Sequence, residues 1–128
     1  MLEIKAIQDK TQQEQICLQL GEEFDIDTLA YSISDSGILL GIVQFALRDG
    51  CGVIYNISKS NDSVVYNTEA LITAMKTVFN FIDLCGIQDV YFKDERHDEK
   101  IVKMFGFNKK DGIWYINLEG FFDTQCHH

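Results

Sequence analysis

The sequence predicts an α/β (α+β) domain, a mixed central sheet of about six to seven strands with helices packed on it. Segments with apolar residues at every second position, typical of strands, alternate with segments of helical spacing. Asp-Gly pairs at positions 49–50 and 111–112 predict two tight hairpins. The 128 residues, 46% of them hydrophobic, suit a single domain over residues 1–118 followed by a tail over 119–128.

The N-terminal half is predicted to contain one helix and four strands. Asp9 is the expected cap of a helix over Lys10–Leu20, which Gly21 ends. The expected strands are Met1–Ile7, Thr28–Ser34, Ile38–Leu47 and Cys51–Ile57. The run from Ile38 is almost unbroken in its apolar character, which indicates a central strand covered on both faces.

The C-terminal half contains the clearest amphipathic helix of the chain. Its apolar residues recur at helical spacing from Leu71 to Ile82, with Asn67 as the expected N-cap and Gly86 at its end. A strand at Ile87–Phe92 should pair in parallel with Cys51–Ile57 through this helix. The remaining elements are a short helix capped by Asp98 and ended by Gly106, then strands at Phe107–Lys109 and Ile113–Leu118.

The overall charge limits the possible partners. The net charge of −9 argues against nucleic acid, whose phosphates need clustered Lys and Arg. It fits a cationic small substrate or a basic partner, and it equally fits plain solubility. No apolar run approaches membrane-spanning length, and the start of the chain lacks the features of a secretory signal. With four widely spaced cysteines, expected to be free thiols, this predicts a cytoplasmic protein.

Three stretches of the sequence, together running from about Ser36 to Leu118, resemble the GCN5-related N-acetyltransferases (GNATs). The family's central hairpin resembles "ILLGIVQFALRDGCGVIYNIS", and its long helix with the next strand resembles "TEALITAMKTVFNFIDLCGIQDVYF". Its last helix, Gly-Phe ending and closing strands resemble "KIVKMFGFNKKDGIWYINL". The resemblance implies the GNAT fold and transfer of an acetyl group from acetyl-CoA to an amine.

The resemblance also implies where acetyl-CoA would bind, between two splayed strands and on the amides that open the long helix. The family's phosphate loop, Q/R-x-x-G-x-G/A, falls on Ser63–Thr68, which contains no glycine. Tyr66 and Thr68 occupy the two small positions and Asp62 lies beside them, so weak binding is expected. On this register the cofactor-binding residues are Asn56, Ile57, Ser58, Val64, Val65, Tyr66, Asn67, Thr68 and Glu69.

The family's catalytic positions are not matched. The tyrosine that often protonates the leaving thiolate falls on Val102, and a common upstream asparagine falls on Glu95. Tyr55 and Tyr115 are the alternative phenols. Two hypotheses therefore stay open: an N-acetyltransferase acting on a small-molecule or protein amine, and a non-catalytic GNAT-like domain that binds a ligand or a protein. A homodimer is compatible with either.

Two charged segments remain to be interpreted. The linker with Glu22, Glu23, Asp25 and Asp27 falls where the family's acceptor site is shaped, so it either holds a cationic amine or is a solvated loop. His97-Asp98-Glu99 is interpreted as exposed surface, because adjacent residues on a helix do not converge on one metal ion. No metal site is expected.

Overall fold

The computed structural model describes residues 1–59 and 65–121, without the side chains of 65–67, and these residues form one seven-stranded sheet with three helices. The strand order is β1-β2-β3-β4-β5-β7-β6. The predicted fold class is confirmed. In chain order the elements are β1 (Leu2–Ala6), α1 (Lys10–Leu20), β2 (Leu29–Asp35), β3 (Ile38–Arg48), β4 (Cys51–Ile57), α2 (Val65–Leu84), β5 (Asp89–Phe92), α3 (Glu99–Phe105), β6 (Asn108–Lys110) and β7 (Ile113–Asn117).

The sheet is mixed because one of its pairings is parallel. Strands β1 to β4 form an antiparallel meander, and β4 then pairs in parallel with β5 through the α2 connection, as predicted. The β6–β7 hairpin returns to the sheet by pairing β7 antiparallel to β5. The carboxyl ends of β4 and β5 therefore lie side by side.

Local sequence signals set the ends of the elements. Asp9 accepts a hydrogen bond from the Thr11 amide at 2.8 Å and caps α1, and Asp98 accepts one from the Ile101 amide at 3.1 Å and caps α3. Asp49 and Gly50 have φ values of 53° and 77°, the left-handed pair that a tight hairpin turn requires. These predictions are confirmed.

The two faces of the sheet are covered unequally. Helices α2 and α3 pack on one face around Phe45, Ile54 and Phe79, which are at most 1% exposed. Helix α1 covers only a smaller cluster on the other face, with Cys17, Ala30 and Ile42. Because β3 lies beneath helices on both faces, its apolar run is nearly continuous.

The start of α2 differs from the prediction. The helix begins at Val65, so Asn67 lies within its first turn instead of capping it, and Glu69 follows in the second turn. The apolar periodicity that predicts this helix begins only at Leu71. The predicted start therefore depends on which of the polar residues before Leu71 is taken as the N-cap. Helix ends are routinely uncertain by about one to two residues on such grounds.

The structure describes the first three residues of the predicted tail and three of the four cysteines. The Phe121 ring lies 5.7 Å from the Phe79 ring, so the start of the predicted tail still reaches the core through Phe121. Residues 122–128 lie outside the described part of the chain. Cys17, Cys51 and Cys85 are free thiols, and Cys126 falls in the part not described.

Candidate functional site

Strands β4 and β5 pair along only part of their length. Register pairs join Gly52 to Val90 and Ile54 to Phe92, and the Lys93 amide donates to the Ile54 carbonyl at 2.9 Å. Just beyond Ile54, the β3–β4 register shifts and leaves Tyr55 as an extra residue in β4. The last residues of β4 therefore continue without a backbone partner from β5.

Side chains from the loop between β5 and α3 (residues 93–98, the β5–α3 loop) bond to this free end of β4. The Ile57 amide donates to Asp94 Oδ2 at 3.0 Å. The Ile57 carbonyl accepts from Arg96 Nη2 at 3.0 Å and lies 2.9 Å from His97 Nε2. Both backbone groups of Ile57 are thus bonded to this chain's own side chains.

Asp94 is the centre of this network. Its side chain is 3% exposed and accepts two bonds from the Arg96 guanidinium, at 2.9 and 2.8 Å, and one from the Arg96 amide at 3.2 Å. Burial alone would raise the pKa of Asp94, but the hydrogen bonds from Arg96, His97 and the Ile57 amide outweigh it and hold that pKa well below its ordinary value. The carboxylate is therefore charged throughout the neutral range.

His97 contradicts its sequence interpretation as exposed surface. Its side chain is 2% exposed and lies 3.3 Å from Asp94 Oδ2, and its ring packs beside those of Phe92 and Phe105 at centroid distances of 6.0 and 6.3 Å. Of the segment His97-Asp98-Glu99, the two acids are exposed and only the His97 side chain is buried. The chain turns His97 inward because Ile57 and Asp94 offer its Nε2 two acceptors.

A cavity of about 410 Å³ opens beside the β5–α3 loop. We call it the acidic cavity, because its lining contains four carboxylates and two cations. Glu22, only 7% exposed in its side chain, pairs with Arg96 Nη1 at 2.9 Å. Glu23 and Glu95 are exposed and form no ion pair with any described residue. The lining residues are Gly21, Glu22, Glu23, Tyr55, Asn56, Lys93, Asp94, Glu95 and Arg96.

The structure separates the four acids of the predicted acceptor linker. Glu22 and Glu23 line the acidic cavity. Asp25 instead accepts a hydrogen bond from the Asp27 amide at 2.9 Å, a local turn within the linker. Asp27 lines a different cavity, beside Arg48. Of the four acids, only Glu22 and Glu23 therefore line the same cavity as the end of β4.

The residues expected to hold acetyl-CoA also have other partners. Asn56 lines the acidic cavity and accepts from Gln44 Nε2 at 2.9 Å. The Ser58 hydroxyl faces β3, where it accepts from the Ile42 amide at 2.7 Å. Thr68 is half-buried and Glu69 is exposed, both on α2. Val64 lies outside the described residues, and Val65, Tyr66 and Asn67 open α2 with side chains that are not described.

The two candidate phenols do not share a cavity. Tyr55 lines the acidic cavity, and the Arg48 guanidinium carbon lies 5.7 Å from its ring centroid. Tyr115 is on β7 and donates to Asp89 Oδ1 at 2.6 Å, a bond that raises the pKa of Tyr115. With β5 between their strands, only Tyr55 could reach a ligand in the acidic cavity.

Sequence reasoning missed Asp94, Arg96 and His97 as site residues. One general signal could have found them, since residues just after the carboxyl end of a parallel strand commonly form sites in α/β sheets. Among the described residues no group of His, Cys, Asp or Glu side chains is arranged to hold a metal ion. None of the described helices combines the length and apolar character needed to cross a bilayer.

Comparisons with known proteins agree on the fold. No protein-family model matches the chain, and no curated protein is significantly similar in sequence. A variant of the spermidine/spermine N-acetyltransferase SpeG from Vibrio cholerae superposes with a TM-score of 0.67 at 11% identity, covering 97% of this chain and 99% of that one.

Two further solved structures are similar. The putative N-acetyltransferase YhhK from E. coli, bound to coenzyme A, has a TM-score of 0.59 at 14% identity over 91% of this chain and 98% of its own. The AtaT toxin, bound to the C-terminus of the antitoxin AtaR, has a TM-score of 0.64 at 12% identity over 100% and 99%. This chain therefore has the fold of the GCN5-related N-acetyltransferases.

Proposed function

We propose that this chain is a non-catalytic GNAT-fold domain that binds a cationic amine in the acidic cavity. The observation that carries the proposal is the state of Ile57, whose amide and carbonyl are both bonded by the β5–α3 loop. By resemblance to the acetyltransferases, the pantetheine arm of acetyl-CoA would bond to the end of this strand. Here the chain's own side chains take that place.

The other residues expected at the cofactor site do not fit acetyl-CoA either. Ser58 is 5% exposed and directed at Ile42, away from the gap between the strands. The loop that should cradle the pyrophosphate, Ser63–Thr68, has no glycine in its sequence. These features support binding without acetyl transfer.

The acidic cavity supports a cationic ligand. Arg96 already pairs with Asp94 and Glu22, so the carboxylates of Glu23 and Glu95 remain for a ligand. Lys93, the only other cation of the lining, leaves the local charge negative. A flexible polyamine or the amine of a lysine side chain fits such a site, and spermidine is a suitable probe because SpeG carries that substrate in its name.

An N-acetyltransferase is the second candidate, favoured by the divergence of β4 and β5 beyond Ile54. It would act on a small-molecule or protein amine, with acetyl-CoA as co-substrate. This function requires the β5–α3 loop to release Ile57 before the cofactor binds. Tyr55, at the cavity edge, would be its most accessible phenol.

The two candidates are separated by calorimetric titration with spermidine and, separately, with acetyl-CoA. We expect spermidine to bind and acetyl-CoA not to bind. The double variant Glu23→Gln with Glu95→Gln should weaken spermidine binding by about tenfold, since each exposed charge contributes up to about 1 kcal/mol. Glu14→Gln, an exposed position on α1 outside the cavity, is the matched control.

Each outcome decides between the candidates. Binding of acetyl-CoA, with release of free CoA when spermidine is added, would overturn the non-catalytic proposal in favour of the transferase. Absence of spermidine binding, or binding that the double variant leaves intact, would overturn the assignment of the acidic cavity to a cationic amine.

A cytoplasmic location belongs to the same proposal. The three free thiols of the described residues, Cys17, Cys51 and Cys85, are the state that a reducing compartment maintains. Thiol counting on denatured, non-reduced protein tests it for the whole chain. Fewer than four reactive thiols in fresh protein would contradict it.

A further inference from the structure

One buried side chain joins the linker after α1 to the wall of the acidic cavity. This is Gln44 on β3, which is fully buried. Its Nε2 donates to the Glu23 carbonyl at 2.6 Å and to Asn56 Oδ1 at 2.9 Å. Its Oε1 accepts from the Asp25 amide at 3.2 Å and from Gln13 Nε2 at 2.8 Å. Both donors and both lone pairs of the Gln44 amide are therefore used within the chain.

The orientation of the Gln44 amide is set by groups that cannot exchange roles. The Glu23 carbonyl can only accept and the Asp25 backbone N–H can only donate, so reversing the amide would oppose like groups in a buried place. Gln13, 1% exposed, is oriented in the same way, because its Oε1 accepts from the Lys10 ammonium at 3.1 Å. Its Nε2 is thereby left to donate to Gln44.

This order of donors and acceptors fixes which atom Asn56 presents to a ligand. We call Lys10, Gln13, Gln44 and Asn56 the amide relay. Gln44 Nε2 can only donate, so Asn56 must turn its Oδ1 toward it. Asn56 Nδ2 is left with no acceptor among the described residues, and Asn56 lines the acidic cavity. A ligand in the cavity therefore meets an N–H donor of known orientation.

We propose that Asn56 selects amines that also carry a neutral acceptor oxygen, such as a hydroxyl, an ether or a carbonyl. This inference rests on the proposed function, in which Glu23 and Glu95 hold the ammonium group. The acceptor is neutral because four carboxylates against two cations in the lining would repel an anionic group. The cavity of about 410 Å³ has the size of a small-molecule site.

A plain polyamine would use only part of this site. Its ammonium groups can pair with the carboxylates, but ammonium and methylene groups offer no acceptor to Asn56 Nδ2. A site built to hydrogen-bond a polar group discriminates against an analogue that lacks it, because the group in the protein is then left unpaired. The Tyr55 phenol, also in the lining, can donate or accept and so does not distinguish the two classes of amine.

Calorimetric titration with two matched diamines tests the proposal. One is cadaverine, and the other is its analogue in which an ether oxygen replaces the central methylene. We expect the native chain to bind the ether about fivefold more tightly, as one neutral hydrogen bond allows. Asn56→Asp keeps an acceptor for Gln44 but presents a second one to the ligand, so it should reverse the preference. Gln44→Met leaves Asn56 free to turn and should abolish it. Asn108→Asp, the same change at an exposed position on β6, should keep the native preference.

The ratio of the two affinities is the decisive quantity, because a loss of structure that weakens both diamines alike does not change it. Equal affinities in the native chain, or a preference that Asn56→Asp leaves unchanged, would overturn the proposal. A preference that persists in Gln44→Met would overturn the role of the amide relay. Failure of the native chain to bind either diamine would instead overturn the proposed function, and this inference with it. Thermal unfolding of each variant checks that it is folded.

Discussion

The two ends of β4 are held in different ways. At its start, Gly52 and Ile54 pair with β5 backbone to backbone, and a Cβ on Gly52 would lie only 2.8 Å from Ile82 Cδ1 of α2. At its end, Ile57 is held by side chains of the β5–α3 loop. The first end is fixed by close packing, which leaves little room for an added atom. The second is fixed by a charge network, whose bonds come from the side chains of Asp94, Arg96 and His97.

This comparison has a functional meaning. The packed end belongs to the fold that this chain shares with solved acetyltransferase structures. The network end is the one that, on the proposed function, Asp94, Arg96 and His97 close to acetyl-CoA. Substitutions at the two ends should therefore behave differently.

The largest expected effect is at the network end. Asp94→Ala should reduce the free energy of unfolding by about 3 kcal/mol, because it leaves the buried Ile57 amide without an acceptor and removes one of the two carboxylates that pair with Arg96. Urea denaturation measures the loss. Asp94→Asn, which keeps an oxygen for the Ile57 amide, should cost less. Equal stability of native chain and Asp94→Ala would show that the network does not hold this end of β4.

The packed end should respond to a single methyl group. Gly52→Ala should lower the free energy of unfolding by about 2 kcal/mol, since the new Cβ would lie within 3.4 Å of Ile82 and Val90 side chains. The same denaturation experiment applies. Cys51→Ala, at the preceding half-buried position, is the control and should change stability little. A neutral Gly52→Ala would mean that α2 can shift away from the sheet.

Of the two ends of β4, the network end should be the one that acid destabilises. The pKa of Asp94 in the folded chain lies below its unfolded value of about 3.9, so its contribution is complete above that value and is lost as the pH falls toward the folded pKa. The stability difference between native chain and Asp94→Asn should be constant above about pH 5 and shrink below about pH 4. A difference that grows with acidity would contradict this assignment.

The smallest expected effect is away from both ends, at Tyr115. Tyr115→Phe removes the hydrogen bond to Asp89 and should cost about 1 kcal/mol or less, because this bond is partly exposed. Spermidine binding should not change, since Tyr115 does not line the acidic cavity. Tyr91→Phe, which removes a phenol hydroxyl from the neighbouring residue on β5, serves as the matched control. If Tyr115→Phe lost spermidine binding, the ligand would have to bind on the β7 side of β5, which would contradict the assignment of the acidic cavity.

Features that depend on neighbours in sequence could be predicted, and features that depend on the register of β4 and β5 could not. The caps Asp9 and Asp98 and the Asp49–Gly50 turn act within a few residues, so their residue types suffice. Arg96 meets Glu22 across most of the chain and His97 meets Ile57 across 40 residues. No local pattern encodes such meetings, and a charged run therefore looked like surface.

The acidic linker also shows that residue type alone does not determine which residues lie together. Its composition drew attention to Glu22 and Glu23, which line the acidic cavity, but Asp25 and Asp27 have the same chemistry and lie elsewhere. Composition identifies which residues could hold a cation. The path of the backbone from α1 to β2 decides which of them line the same cavity.

The extra residue at Tyr55 decides which way the last residues of β4 face. With the bulge, Asn56 lies beside Gln44 and the Ile57 side chain stays in the core. Because side chains alternate along a strand, a regular strand of the same length would turn the Asn56 amide toward the core and the Ile57 side chain toward the acidic cavity. A substitution that straightens the bulge would therefore act on both faces of the sheet at once.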